Sequence, residues 1–370
     1  MLSVEEKMKQ RLAERQQAGL LRVLPPPLEG LTDFCSNDYL GLARNLSQPT
    51  HPIAGATGSR LISGNTKAAE ELEKIIAQFH GAEAALLFPS GYLANIGLLP
   101  AICSRHDTII YDKLLHASLR DGIGLSPGKA YSFAHNDLAD LEKKLQRAAG
   151  EKWVVVESVY SMDGDQAPLT AMADICQRYQ ANLIVDEAHG TGVVGRRGEG
   201  LVAALGLESA VWARIHTFGK AMGSHGAAIL GSTVLKDFLI NFARSFIYTT
   251  ALPPATIAHL TAGYQTLQEE DLVAKLRARI TYFVQACPAK VRKRLIASTT
   301  PVQAVLCPGN EAVQHLANHL QIQKIAILPI RYPTVPQGEE RIRICLHTFN
   351  TNEEIDRLLA CLDSYFSENS

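Results

Sequence analysis

Paired cysteines are missing from this chain. Its seven cysteines, at 35, 103, 176, 287, 307, 345 and 361, are scattered and none forms a C-x-x-C pair. That argues against a disulfide framework or a zinc site and suits reduced thiols in a cytoplasm. An excess of one charge is missing too. The 36 Lys and Arg nearly balance the 37 Asp and Glu, for a net −1, so nothing points to nucleic acid or to an acidic membrane surface. No basic helix-turn-helix stretch is present, which excludes a DNA-binding regulator. Long apolar runs are absent as well. Tyr92–Cys103 spans 12 residues and includes Asn95, Gly97 and Pro100, too short to cross a bilayer as a helix. The first seventeen residues, MLSVEEKMKQRLAERQQ, mix acids and bases around no apolar core, so neither a signal peptide nor a presequence is expected.

A phosphate-binding G-x-x-x-x-G-K-[ST] loop is also lacking. The only Gly-Lys pairs are Gly128-Lys129 and Gly219-Lys220, each followed by Ala. The D-E-A-H at 186–189 therefore does not belong to a nucleotide-driven motor. Gly190-Thr-Gly192-Val-Val-Gly195 satisfies G-x-G-x-x-G, but four residues separate it from the preceding strand and no apolar helix follows. The dinucleotide reading fails on that context.

What is present is an alternation of apolar strands and helical patterns. Residues 1–20 read as a helix ending at Gly19, before a proline break at 25–27. A helix is predicted from about Thr66 to His80, with Leu72, Ile75, Ile76 and Phe79 on one face and Gly81 as its stop. Ala84–Phe88, Thr108–Tyr111, Trp153–Glu157 and Leu183–Val185 read as strands. The last two are continuous β-rich runs, as expected for strands covered on both faces. Strands separated by helices predict a parallel α/β sheet. After Ala251 the pattern turns to long charged helices, then to strand-like pieces near 302–306, 324–330 and 341–346, a smaller α+β unit. The expected division is an arm over 1–35, a large domain over 36–255 and a small C-terminal domain over 256–370.

Chemistry concentrates on Ile215–Leu230, IHTFGKAMGSHGAAIL, where Lys220 is the only Lys, Arg, Asp or Glu. A lysine among small residues, with little water and no adjacent acid, loses its proton readily and can form a Schiff base. Asp186 closes a buried strand, and such an end points into the ligand crevice of a parallel sheet. His189 follows it. Together with Lys220 they meet the needs of pyridoxal phosphate (PLP): an amine to hold it and an acid to keep its ring nitrogen protonated. Ser90-Gly91-Tyr92, between a strand and a helix, offers backbone N–H groups to a phosphate. His116 is a candidate to cover the ring.

The segments SNDYLGL, SGYLAN, HASL, AHND, SMDGD, DEAHGTG, HTFGKAMGSHGAA, IYTTALPP and RYPTVPQGEERIRI, in this order over nearly the whole chain, resemble the α-oxoamine synthases. These are PLP-dependent transferases of fold type I that join an amino acid to an acyl thioester with loss of CO2. SMDGDQAPL with DEAHG and PTVPQG is most similar to the biotin-biosynthesis branch, an acyltransferase acting on L-alanine and a pimeloyl thioester of coenzyme A or an acyl-carrier protein. Sister enzymes using glycine and another acyl-CoA are the alternative. The resemblance implies a mostly parallel seven-stranded sheet with a smaller C-terminal α+β domain, and a homodimer with shared active sites.

Residue by residue, it implies that Lys220 carries the cofactor and moves protons. Asp186 partners the pyridine nitrogen, His189 neighbours the ring 3-hydroxyl, and His116 stacks on the ring. Gly91 and Tyr92 form the phosphate cradle, and Ser161 and Thr217 make further cofactor contacts. Thr249 and Thr250 reach the phosphate in the partner subunit. Asn37 lines the substrate pocket, and Arg343 grips the amino-acid carboxylate with Thr334 nearby. In RIRICL, Arg341, Arg343 and Cys345 share one strand face, and a planar guanidinium suits a carboxylate. Arg341 reads as a solvated residue of that face. Two positions depart from the family. Ala69 stands where relatives usually carry a histidine. Leu21 stands where some have an arginine near the acyl substrate, with Arg22 adjacent. Both bear on the acyl donor. His225 has no assigned role. His315 and His319, at i and i+4, lack a third metal ligand, and His80, His106 and His259 read as helix-end or surface residues.

Overall fold

The computed structural model describes residues 2–22, 24, 27, 29–46 and 52–369. Seven strands form its main sheet: β1 (Ala84–Phe88), β2 (Thr108–Asp112), β3 (Lys129–Phe133), β4 (Lys152–Glu157), β5 (Asn182–Asp186), β6 (Ala213–Thr217) and β7 (Ala227–Gly231). Their order across the sheet is β1-β7-β6-β5-β4-β2-β3. All neighbours from β6 to β3 are parallel, while β7 runs antiparallel to both β6 and β1. The centre is covered on both faces, with Val154, Val155 and Val156 fully buried, which is why β4 reads as an unbroken apolar run.

Four parallel strands end on polar residues, Asp112, Glu157, Asp186 and Thr217. They line up in neighbouring strands along one edge of the sheet, and Glu157 is directly in register with Asp186. This is where an open α/β sheet binds ligands. Strands β6 and β7 flank Lys220, and neither was expected as a strand; in β6, Arg214 and His216 interrupt the apolar run.

The helix predicted from Thr66 forms as α1 (Lys67–Phe79), capped by Thr66, whose hydroxyl accepts from Ala69 N–H. Its buried Glu73 does more than pack. One carboxylate oxygen accepts from Arg60 at 2.7 Å and from Leu87 N–H at 3.1 Å, and the other takes Lys236 at 2.8 Å. The Leu87 N–H lies on the sheet-edge strand β1, so the helix satisfies an edge donor that would otherwise be orphaned. Glu73→Ala strands this donor and two cations together, and we expect urea denaturation to show a loss of about 3 kcal/mol.

The N-terminal helix, Val4–Gln17, begins with a Ser3/Glu6 capping box and has no buried residue. Pro25 and Pro26 of the expected break lie outside the described residues. Further on, Thr32–Asp33 pairs in parallel with Ile325–Ala326 of the C-terminal part, and Phe34 is fully buried. A second sheet, β8 (Leu295–Ile296), β9 (Val302–Leu306), β10 (Leu328–Ile330) and β11 (Arg341–Cys345), has the antiparallel order β10-β11-β9-β8. The closing helix Asn352–Glu368 opens on the Thr351/Glu354 capping box that its sequence predicts.

Three residues expected at solvent or helix ends are buried. Arg341 is only 2 % exposed; it pairs with Asp163 and, at 3.2 Å, with Glu339. His80 does sit at the end of α1, but it is fully buried. Its ring lies 3.8 Å from that of His216, and it bonds to Tyr264 and to the Glu199 carbonyl. His259 is buried as well.

Candidate active site

A cavity of about 270 Å³ opens at the carboxyl ends of β4, β5 and β6. Of the expected residues, Asn37, Gly91, Tyr92, His116, Asp186, His189, Thr217 and Lys220 line it. Distant segments thus converge on one space. Arg343 reaches it indirectly. Its Nη2 donates to Asn37 Oδ1 at 3.0 Å and to Tyr39 Oη at 3.2 Å, while its Nε donates to the Ser161 carbonyl at 2.7 Å. Ser161 therefore meets the site through its backbone.

Lys220 lies beyond β6, in the bend before the antiparallel return of β7. Burial pushes its amine below the ordinary lysine value and the Arg343 charge adds to this, while Asp186 and Glu157 pull the other way. The lowering wins. Asp186 is buried and doubly held: Oδ2 accepts from Asn95 Nδ2 at 3.0 Å, Oδ1 from Ala188 N–H at 2.9 Å. Both histidines are held neutral by burial, reinforced by the Lys220 charge. Tyr39, fully buried, shares a 2.9 Å hydrogen bond with His189 Nδ1 and so joins it to the Arg343 cluster.

Glu157 escaped the reading of the sequence. It lies beside Asp186, and burial together with that neighbouring charge pushes its pKa up to about 8. Its Oε1 accepts the backbone N–H of His116 at 2.6 Å, which anchors the start of the helix Ala117–Leu125. Only the register of two strands reveals it, although an acid closing a buried strand was itself a signal.

The residues present fit PLP. Ser90 caps the helix Gly91–Ile102 by accepting from Leu93 N–H, and the first N–H groups of that helix have no intrahelical partner. A Cβ at Gly91 would stand 2.5 Å from Thr217 Cγ2, so the cradle admits no side chain there. Asn95, also lining the cavity, keeps a buried Oδ1 with no partner among the described residues. An anion cradle, an isolated amine and a buried carboxylate form the donor set this cofactor needs.

Other expected residues fall elsewhere. Thr249 and Thr250 line a neighbouring cleft with Phe88, Pro89 and Ala69. Arg22 and Thr334 both line a second cavity of about 190 Å³, where Arg15 and Arg331 join them and, among the described residues, no acidic side chain lines the wall. His225 lines the Lys220 cavity. His315 shares a 3.0 Å hydrogen bond with Tyr365.

Known proteins resemble this chain along almost all of its length. The profile of the family "Aminotransferase class I and II" matches residues 29–362. An 8-amino-7-oxononanoate synthase of Methylobacillus flagellatus is 41 % identical, over 95 % of this chain and 93 % of that protein. One of Marinobacter nauticus is 39 % identical over 95 % and 94 %. Among solved structures, a serine palmitoyltransferase of S. paucimobilis with bound PLP superposes with a TM-score of 0.90 at 25 % identity, covering 99 % of both chains. The 8-amino-7-oxononanoate synthase of Francisella tularensis gives 0.78 at 29 %, over 92 % and 98 %. The chain belongs to the aminotransferase class I and II family and, within it, to the α-oxoamine synthases most like 8-amino-7-oxononanoate synthase.

Proposed function

We propose that the protein is a PLP-dependent acyltransferase that condenses L-alanine with a pimeloyl thioester, releases CO2 and yields 8-amino-7-oxononanoate for biotin. The observation that carries this is that Lys220 and Asp186 line one cavity, in a chain about 40 % identical to synthases of that name over nearly its full length. When bound, the cofactor supplies an electron-withdrawing ring that stabilises negative charge on the amino acid's α-carbon.

Around it each residue has a proposed task. Lys220 Nζ would hold the cofactor, and burial, which weakens its hold on a proton, suits it to take the α-proton of alanine. Asp186 holds a proton on the ring nitrogen. The N–H groups of Gly91 and Tyr92 hold the phosphate, with Thr217 beside them. His116 covers the ring and excludes water, and His189 orients the 3-hydroxyl. His116 or His189 donates to the thioester oxygen as charge develops there. Arg343 grips the alanine carboxylate, with Asn37 and the Ser161 carbonyl fixing its plane. Pimelate carries a second carboxylate at its far end. The cavity of Arg22 and Thr334, lined also by Arg15 and Arg331, suits that group or the carrier's phosphate.

Thr249 and Thr250, which line a cleft separate from the Lys220 cavity, serve the partner subunit's site in a homodimer. Their positions support a shared active site. The protein works in the cytoplasm, and among the described residues no helix is long and apolar enough to cross a membrane. The divisions 1–35, 36–255 and 256–370 remain our proposal for its domains, checked by limited proteolysis.

The experiment is direct. Protein loaded with PLP should convert L-alanine and pimeloyl-CoA, or the pimeloyl carrier protein, to a product with the mass of 8-amino-7-oxononanoate, one CO2 per turnover. Faster turnover with glycine and a shorter thioester would place the protein with the sister enzymes instead.

A further inference from the structure

Between the sheet and the Arg343 strand lies a charged clamp that the proposed mechanism leaves unused. It is centred on His135, just after β3. Its Nδ1 bonds to both oxygens of Asp112 at 3.0 and 3.1 Å, and its Nε2 lies 2.8 Å from Asp165 Oδ2. Asn136 supports the same two carboxylates: its N–H donates to Asp112 Oδ2 at 2.9 Å, and its Nδ2 to Asp165 Oδ2 at 2.8 Å. Asp112 is fully buried at the end of β2. Among the described residues, His135 is the only cationic group that pairs with either acid.

Asp165 closes a short loop that carries two contacts toward β11. Tyr160 N–H donates to the Asp165 carbonyl and Gly164 N–H to the Tyr160 carbonyl, each at 2.9 Å. Within this loop the Ser161 carbonyl receives Arg343 Nε at 2.7 Å, and Asp163 pairs with Arg341. Ser298 and Thr300 hydroxyls hold the Gly164 carbonyl from the small sheet's side. One end of the loop is thus fixed to the main sheet through His135, and the other meets the strand that bears Arg343.

We infer that His135 is a positioning residue for amino-acid recognition: by tying Asp165 to Asp112 it fixes the loop whose Ser161 carbonyl aims the Arg343 guanidinium. The inference rests on the proposal that Arg343 grips the alanine carboxylate. The bridge needs a ring with both nitrogens protonated, since each faces a carboxylate. Burial opposes that charge, but the bonds and charges of Asp112 and Asp165 outweigh it and push the His135 pKa up to about 9. The groups facing the ring are Asp112 from β2, Asp165 and the nearly perpendicular Tyr160 ring from the loop, its centre 4.4 Å away, and Asn136 beside it. Glu157 lies beyond them, within reach of the Asp112 charge. The bridge is therefore complete at neutral pH and opens as pH rises through about 9.

The test uses the PLP-loaded protein and reads L-alanine binding from the change in the cofactor's visible absorption. His135→Asn and Asp165→Asn should each weaken alanine by about 10-fold, the worth of one misaimed charge-assisted contact. Cofactor affinity, measured on the apoprotein, should stay within about 2-fold because Lys220 and the phosphate cradle are untouched. Ethylamine, which lacks the carboxylate, should bind wild type and variants alike. The ratio between His135→Asn and wild type should close toward unity by about pH 10, where the wild-type ring is also neutral. Equal alanine affinities, a parallel loss of cofactor and alanine, or a ratio that stays constant with pH would each overturn the inference. If His135→Asn does not fold, Asp165→Asn, which keeps the buried Asp112–His135 pair, gives the same reading. Wild type that binds no alanine at all would instead sink the proposed substrate and leave the clamp a separate matter.

Discussion

Lys220→Ala should reduce turnover by at least about 10⁴-fold, since the one side chain both holds the cofactor and moves the proton. No substitute stands nearby. The remaining cationic group of the cluster, Arg343, is bound to Ser161, Asn37 and Tyr39, and His116 and His189 are held neutral and lie within hydrogen bonds of their own. Borohydride treatment of the loaded wild type should leave the cofactor's mass on the peptide containing Lys220. The same treatment of Lys220→Ala should leave none. A variant keeping more than about 1 % of wild-type turnover would remove Lys220 from the mechanism. Folding should survive, because the amine faces a cavity and makes no structural hydrogen bond of its own among those found.

Asp186→Asn should cost about 10³-fold in turnover and weaken cofactor binding by about 10-fold. The amide matches the carboxylate in shape, so packing between β4 and β6 is preserved while the charge is lost. Without that charge, nothing on β5 favours a proton on the ring nitrogen. The substitution also acts on Glu157, whose pKa of about 8 depends on burial first and on the Asp186 charge second. Removing the charge should therefore move the alkaline side of the pH–rate profile downward. The sign follows from the group: an acid raised by a neighbouring anion falls when that anion is taken away. An unchanged rate, or a profile that does not move, would count against the pairing of these two carboxylates.

Much of the local structure was legible because it depends on near neighbours. The capping box at Thr351, the stop at Gly81 and the apolar run of β4 involve contacts a few residues apart. Strand β6 was hidden for the opposite reason. Arg214 and His216 look out of place in a buried strand until α1's end is seen to supply their partners, the His80 and Gly81 carbonyls and the His80 ring. Arg341 was misjudged likewise, since its ion pair reaches back 178 residues to Asp163. Polarity argues for solvent only where the far side of the fold is unknown.

Residue chemistry alone determined that an isolated lysine, a strand-end acid and a glycine-led cradle belong to one kind of site, because charge, size and backbone freedom are properties of the residues themselves. Tertiary structure alone decided which further groups share that site. The register of β4 against β5 put Glu157 beside Asp186, and the fold brought Tyr39 between Arg343 and His189. It set Arg22 and Thr334 in a cavity of their own, and it joined Asp112, His135 and Asp165 into a clamp. Each of these depends on pairing between distant segments, and such pairing follows from global packing, which no local pattern encodes.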